Sequence, residues 1–149
     1  MYGELGAATV ERLLRTGAVG HLGCYGDGRP YVVPINYFYD GEYVYGYTRD
    51  GMKLRLMRAH PTVCLQVDRI EDSVNWESVI AWGRFEELHG DDAARAKELF
   101  SGRFTPLLGG APIERVHGMG GWASHPPTWQ DAVIYRITLT AKTGRFERP

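Results

Sequence analysis

Cysteine is scarce in this chain: its 149 residues include two, Cys24 and Cys64, and no C-x-x-C pair. A disulfide framework and a cysteine-based zinc cluster are therefore excluded. Each cysteine sits in an apolar run, where a buried thiol is the expected state. An excess of charge is also missing. Lys and Arg number 17 against 18 Asp and Glu, whereas a general nucleic-acid binder carries a basic surplus. No stretch approaches the roughly 18 consecutive apolar residues of a membrane span. Met1-Tyr2-Gly3-Glu4 lacks the charged-then-apolar pattern of an export signal, so a cytoplasmic location with no membrane partner is expected. The histidines, His21, His60, His89, His117 and His125, show no H-x-x-x-H spacing, and no metal site is expected. A G-x-S-x-G elbow, a Walker loop and a dinucleotide-binding glycine fingerprint are likewise absent, which removes support for hydrolase and P-loop readings.

What is present is an ordinary apolar fraction of 44% with nine Tyr and 19 Gly. That is enough to bury a core of about 68–70% of the unfolded surface without staples. Aromatics mixed with turn formers lean toward β structure. No repeat or interdomain linker interrupts the chain, so residues 1–149 read as one domain.

Periodicity orders the elements. Thr9 is a plausible N-cap for a first helix carrying Val10, Leu13 and Leu14 on one face and stopping at Gly17. Ala18–Tyr25 and Arg29–Tyr39 read as strands around a Gly26-Asp27-Gly28 turn. Asp40-Gly41 then signals a hairpin to a strand over Glu42–Tyr47, with Tyr43, Tyr45 and Tyr47 sharing a face. Met52–Ala59 reads as a short helix ended by His60-Pro61. Strands follow at Thr62–Asp68 and Trp76–Leu88, joined by a polar connection over Ile70–Asn75, with Gly83 at a bulge. Asp91 caps a helix to Phe100. Residues 101–131, rich in Pro and Gly, read as a long loop, a kind that is usually functional. Ala132–Leu139 is a last strand and Gly144–Pro149 a tail. Six strands joined mainly by hairpins favour an antiparallel barrel with a few short flanking helices over a doubly wound sheet.

Two stretches stand out chemically. Thr48, Arg49, Gly51, Lys53 and Arg55 surround a helix start, where unpaired N–H groups and a partial positive charge suit a phosphate. On residue type alone, a surface turn of solvated basic residues is the commoner reading. Tyr31-Val32-Val33-Pro34-Ile35-Asn36 places a proline inside an apolar strand, which marks an edge or a bulge. A plain edge strand is the commoner reading there, and an edge left open for a planar polar ring is the alternative.

The two stretches belong to a longer pattern. Gly28-Arg29-Pro30-Tyr31-Val32-Val33-Pro34-Ile35-Asn36-Tyr37-Phe38-Tyr39-Asp40-Gly41 is followed by Tyr45-Gly46-Tyr47-Thr48 and Gly51-Met52-Lys53. Then come His60-Pro61-Thr62-Val63-Cys64-Leu65-Gln66-Val67-Asp68 and Trp76-Glu77-Ser78-Val79-Ile80 with Gly83. This series resembles the pyridoxamine 5′-phosphate oxidase-like family of flavin-binding split barrels, in particular its nitroimidazole-resistance branch.

The resemblance implies a six-stranded antiparallel split β-barrel that forms a homodimer with FMN between the subunits. It implies that Val33, Pro34, Ile35 and Asn36 run beside the flavin ring and that Tyr47 and Thr48 flank it. Gly51, Met52, Lys53 and Leu54 would hold the phosphate, with Lys53 as the cation, and Ser78 and Val79 would lie near the flavin, in the same or the other subunit. A histidine is common in the resistance branch where this chain has Tyr47, so no catalytic side chain is assigned. The implied activity is reduction of a small, potentially nitroaromatic substrate, with residues 101–131 near the cleft. The alternatives are the deazaflavin coenzyme or haem in the same cleft, or a flavin carrier or sensor without catalysis.

Overall fold

The computed structural model describes residues 1–108, 129 and 131–149, with the side chains of 103–108 excepted. Eight strands and three helices occur among them: β1 (Tyr2–Glu4), α1 (Ala7–Thr16), β2 (Val19–Gly26), β3 (Arg29–Asn36), β4 (Phe38–Tyr39), β5 (Tyr43–Thr48), α2 (Met52–Ala59), β6 (Thr62–Asp72), β7 (Asn75–Glu87), α3 (Gly90–Leu108) and β8 (Val133–Glu147). All strand pairs are antiparallel, in the order β3-β2-β6-β7-β8-β5-β4, with β1 also paired to β8.

That order contains its own curvature. β3 and β4 end opposite sides of the sheet, yet only Tyr37 separates them in sequence. Consecutive Cα atoms are about 3.8 Å apart, so the sheet must curl until its two ends almost meet. β3 and β5 then face each other across a seam with no ladder between them. The result is a split barrel, as the sequence pattern predicts.

Local chemistry explains the joints. Asp27 and Gly28 both have positive φ (53° and 78°), so the β2–β3 hairpin turns on two left-handed residues. In the β3–β4 crossing, the Tyr37 hydroxyl donates to the Leu14 carbonyl at 2.8 Å, closing an orphan acceptor in the last turn of α1. Between β7 and β8 the register passes from Trp82↔Ala141 to Gly83↔Leu139, which leaves Thr140 as an extra residue. A Cβ on Gly83 would lie 2.4 Å from the Thr138 carbonyl oxygen, so the bulge needs glycine for close approach.

The barrel interior is filled by Leu13, Leu14, Leu22, Val44, Leu54, Met57, Leu65, Val79, Tyr135 and Ile137 among others. A second cluster, with Tyr45, Phe100 and Ile134, lies where α3 covers the outer face of β5 and β8.

Several boundaries differ from expectation. α1 starts at Ala7 because the Gly6 carbonyl accepts from Thr9 and Val10, so Thr9 lies inside the helix and is not its cap. The strand read over Arg29–Tyr39 is two strands, which with β1 raises the count from six to eight. The presumed connection over Ile70–Asn75 is mostly strand, since β6 and β7 pair out to Asp72↔Asn75. The supposed tail is the end of β8, held between Trp76–Ser78 on one edge and β1 on the other. Residues 101–108 continue α3 where a loop is expected. The rest of that loop, apart from Trp129 and Asp131, lies outside the described residues. Among the described residues no helix is long and apolar enough to cross a membrane.

Candidate functional site at the barrel seam

The seam is lined by β3 and β5, and its chemistry follows from register. β3 pairs only with β2, through Val19↔Asn36, His21↔Pro34, Leu22↔Val33 and Tyr25↔Pro30. Antiparallel ladders alternate hydrogen-bonded and non-bonded pairs. Prolines cannot donate, so Pro30 and Pro34 fall on the non-bonded set, and Val32 and Asn36 share it. Val33 and Ile35 therefore spend their N–H groups on β2. Within the stretch 33–36, only Asn36 directs a backbone N–H to the open edge. The open edge that could face a planar polar ring thus offers one backbone donor within this stretch.

Asn36 also bridges the seam. Its side-chain amide acts on the Tyr47 hydroxyl of β5 and favours the ionised phenol. Its Oδ1 is buried and has no hydrogen-bond partner among the described residues. Tyr47 is held edge-on by Phe100 of α3 (centroids 5.5 Å apart) and by Trp129 (5.6 Å). Burial in this setting raises the Tyr47 phenol to about 12, although the Asn36 amide and Arg49 oppose the rise. Tyr47 is therefore a neutral hydrogen-bonding group near neutral pH, not a proton donor poised for exchange. Thr48 is buried, and its hydroxyl donates to the Arg49 carbonyl at 2.9 Å.

Below the seam, α2 begins directly after β5. Its N-cap is Gly51, in extended backbone, with no side-chain cap and no acidic residue in the first turn. The Gly51 carbonyl accepts from Arg55. The N–H groups of Met52, Lys53 and Leu54 precede the first intrahelical bond and have no partner within the helix. A Cβ on Gly51 would meet nothing within 4 Å, so the space over this terminus is open. Leu54 is buried beneath it in the core, while Met52 is exposed.

The cations around α2 are not equivalent. Arg55 pairs with Asp27 at 3.5 Å and Arg58 pairs with Glu87. Asp50 also acts on Arg58, which places its charge on the arginine side of the helix. Lys53 is partly buried and has no carboxylate partner among the described residues. Burial lowers its pKa, opposed by the nearby Cys24. Cys24 itself is pushed up to about 11, chiefly by burial, and stays a thiol. A partly desolvated ammonium with no carboxylate partner among the described residues, beside an uncapped helix start, can hold an anion.

Ser78 and Val79 lie on β7 and point to opposite faces. Val79 is fully buried in the core, so its side chain packs the barrel and does not line the seam. Ser78 is on the outer face, where its hydroxyl accepts from Gln66 at 2.9 Å. Gln66 Oε1 in turn lies 3.3 Å from His21 Nδ1. Cys64 is on the same outer face and is only half-buried, unlike the buried thiol expected. No group of three or more potential metal ligands occurs among the described residues.

Sequence reading missed Phe100, Trp129 and Tyr135 as neighbours of the site. The Tyr135 ring fills the space left by Gly46, where a Cβ would come within 2.3 Å of it, and its buried hydroxyl has no partner. The only signal was an unexplained glycine in a tyrosine-rich strand. Together these residues form a site with an anion end at α2 and a polar acceptor at the seam. The donor set suits an elongated ligand with a phosphate and a planar heterocycle.

Comparison with known proteins agrees with the geometry. The model of the pyridoxamine 5′-phosphate oxidase family matches residues 6–146. The chain belongs to this family. An FAD-binding protein of Mesorhizobium loti has the same fold, with a TM-score of 0.78 and 28% identity over 99% of each chain. A candidate 5-nitroimidazole antibiotic resistance protein of Bacteroides thetaiotaomicron shares the fold at 15% identity and a TM-score of 0.73, over 98% of this chain and 87% of that one. An uncharacterized protein of Rhizobium meliloti is 29% identical over 120 residues, or 80% of this chain and 68% of the relative. The split barrel is thus the family's fold, and the seam is the candidate site of this member.

Proposed function

We propose that this chain is an FMN-binding oxidoreductase acting on a small, electron-poor substrate such as a nitroaromatic. The observation that carries the reading is Lys53: a partly buried ammonium with no carboxylate partner among the described residues, next to the uncapped start of α2. The FMN phosphate would sit on Lys53 and the N–H groups of Met52 to Leu54, with the ring beside Asn36 and Tyr47. Bound FMN would supply hydride and electron transfer. The protein's residues would hold and orient it and shield it from water. Tyr47, neutral and braced, would steer a substrate over the ring and would not act as an acid.

Ligand sites usually bury about 70–90% of their ligand, and one open seam cannot do this. A homodimer would add the second wall. The outer sheet face supports this: Val32 (66% exposed), Gly23, Cys64 and Trp82 (39%) lie in register across four strands, with Ile80 (39%) in the next row.

A second reading, FAD in place of FMN, draws support from the Mesorhizobium loti neighbour. Releasing the chromophore and weighing it separates the two. Flavin titration tests the phosphate role. Charge-assisted hydrogen bonds contribute about 1.5–3 kcal/mol, so Lys53→Ala is expected to weaken FMN binding roughly 10- to 150-fold and riboflavin binding far less. Arg55→Ala, whose charge is already paired with Asp27, is the control. Equal losses for FMN and riboflavin on Lys53→Ala would reject the phosphate site, and a Soret band or a released deazaflavin would replace the flavin. Turnover with a reduced nicotinamide and a nitroaromatic acceptor distinguishes an enzyme from a carrier.

A further inference from the structure

The seam holds an acceptor that no described residue of the protein uses. Asn36 Oδ1 is buried without a hydrogen-bond partner. Leaving such a group unmade costs about 1–3 kcal/mol, and buried polar side-chain atoms are partnered in the large majority of cases. The same residue directs its backbone N–H to the open edge of β3, because Pro34 places Asn36 on the non-bonded register. One residue thus offers a donor and an acceptor at the mouth of the seam, and both await a partner.

We infer that Asn36 reads the pyrimidine edge of the flavin ring, its Oδ1 accepting the N3–H and its backbone N–H facing a ring carbonyl. This rests on the flavin reading above and deepens it. The match is chemical. Oxidised isoalloxazine carries one N–H donor, at N3, between two carbonyls. The edge presents acceptor, donor, acceptor, and Asn36 presents the complement of an adjacent donor and acceptor. Backbone donors from Val33 and Ile35 cannot substitute, since β2 takes them. Tyr47 is the positioning residue. Its hydroxyl is favoured in ionised form by the Asn36 amide across the seam, which draws the NH2 group toward β5 and leaves Oδ1 for the ligand. Phe100 and Trp129 hold the tyrosine ring edge-on, so the amide is oriented before the ligand arrives.

The test uses FMN and 3-methyl-FMN, which lacks only the N3 donor, titrated by flavin fluorescence into the whole chain. The wild-type protein is expected to prefer FMN by about tenfold or more, the factor for one hydrogen bond to a buried acceptor. Asn36→Ala is expected to bind both within about twofold. Asn36→Asp keeps an acceptor and is expected to retain the preference, which covers the case in which the alanine variant fails to fold. Tyr47→Phe is expected to reduce the preference part-way while leaving the loss caused by Lys53→Ala unchanged, a pattern that simple loosening of the fold would not produce. An equal preference in wild type and Asn36→Ala, or none in the wild type, would overturn the role of Asn36 and leave flavin binding standing. Failure of wild type to bind FMN at all would instead bring down the flavin reading, and this inference with it.

Discussion

At Lys53 a single side chain links burial, charge and ligand. Burial holds its pKa below the usual 10.5. The folded chain therefore gives up this proton at a lower pH than the unfolded chain does. Between the folded value and 10.5 the unfolded state binds more protons, so this residue's contribution to stability rises with pH across that window. Below the window both states carry the charge, and the folded state bears the full desolvation cost. Lys53→Met is accordingly expected to stabilise the ligand-free protein at pH 7, with the gap to wild type narrowing toward pH 10.5. Urea unfolding at several pH values measures this, and a gap that widens with pH would contradict it. Stability given up at a residue proposed to hold a ligand is a common feature of functional sites. The lysine itself was legible in sequence as part of a basic loop-to-helix junction. Its difference from Arg55 and Arg58 was not, because the carboxylates that neutralise those arginines, Asp27 and Glu87, are about thirty residues away.

Among the elements, the β7–β8 ribbon is the spine of the sheet, since β8 pairs with β7 over most of its length and with β5 and β1 on its other edge. Its bulge at Gly83 bends the ribbon so that the sheet can curl. Gly83→Ala would drive a methyl into the Thr138 carbonyl and the Ile137 side chain. Such overpacking costs about 1–3 kcal/mol, and a backbone atom cannot move aside as a side chain would. A fall in the urea midpoint of matching size is expected, and an unchanged midpoint would show that the bulge tolerates a side chain. Gly83 was readable as a bend because glycine within an apolar strand has few other uses. The length of β8 was not readable. Its middle, Thr140 to Thr143, is exposed, and it is strand because β7 lies beside it.

For the whole molecule, the expected dimer rests on the outer face of β3, β2, β6 and β7. Trp82 and Ile80 are partly exposed there in adjacent rows, flanked by His21 and Gln66. A charge placed in a desolvated interface without a partner is strongly unfavourable. Trp82→Glu is expected to shift light scattering from dimer to monomer and to weaken FMN binding with it, while circular dichroism stays unchanged. A wild-type monomer that binds FMN tightly would refute the assembly.

Residue type and spacing by themselves determined the strand-rich class, the Asp27-Gly28 hairpin and the exact span of α2. Each depends on interactions within a few residues, namely alternation, turn dihedrals and helix periodicity, and these are written locally. The meeting of Asn36 with Tyr47, the removal of Val79 into the core and the isolation of Lys53 from the carboxylates of the described residues required the fold. They depend on how a curled sheet brings its two edges together and on which charges it leaves apart. The pairing partners lie on different strands and helices, and only closure of the barrel around its core places them within reach of one another.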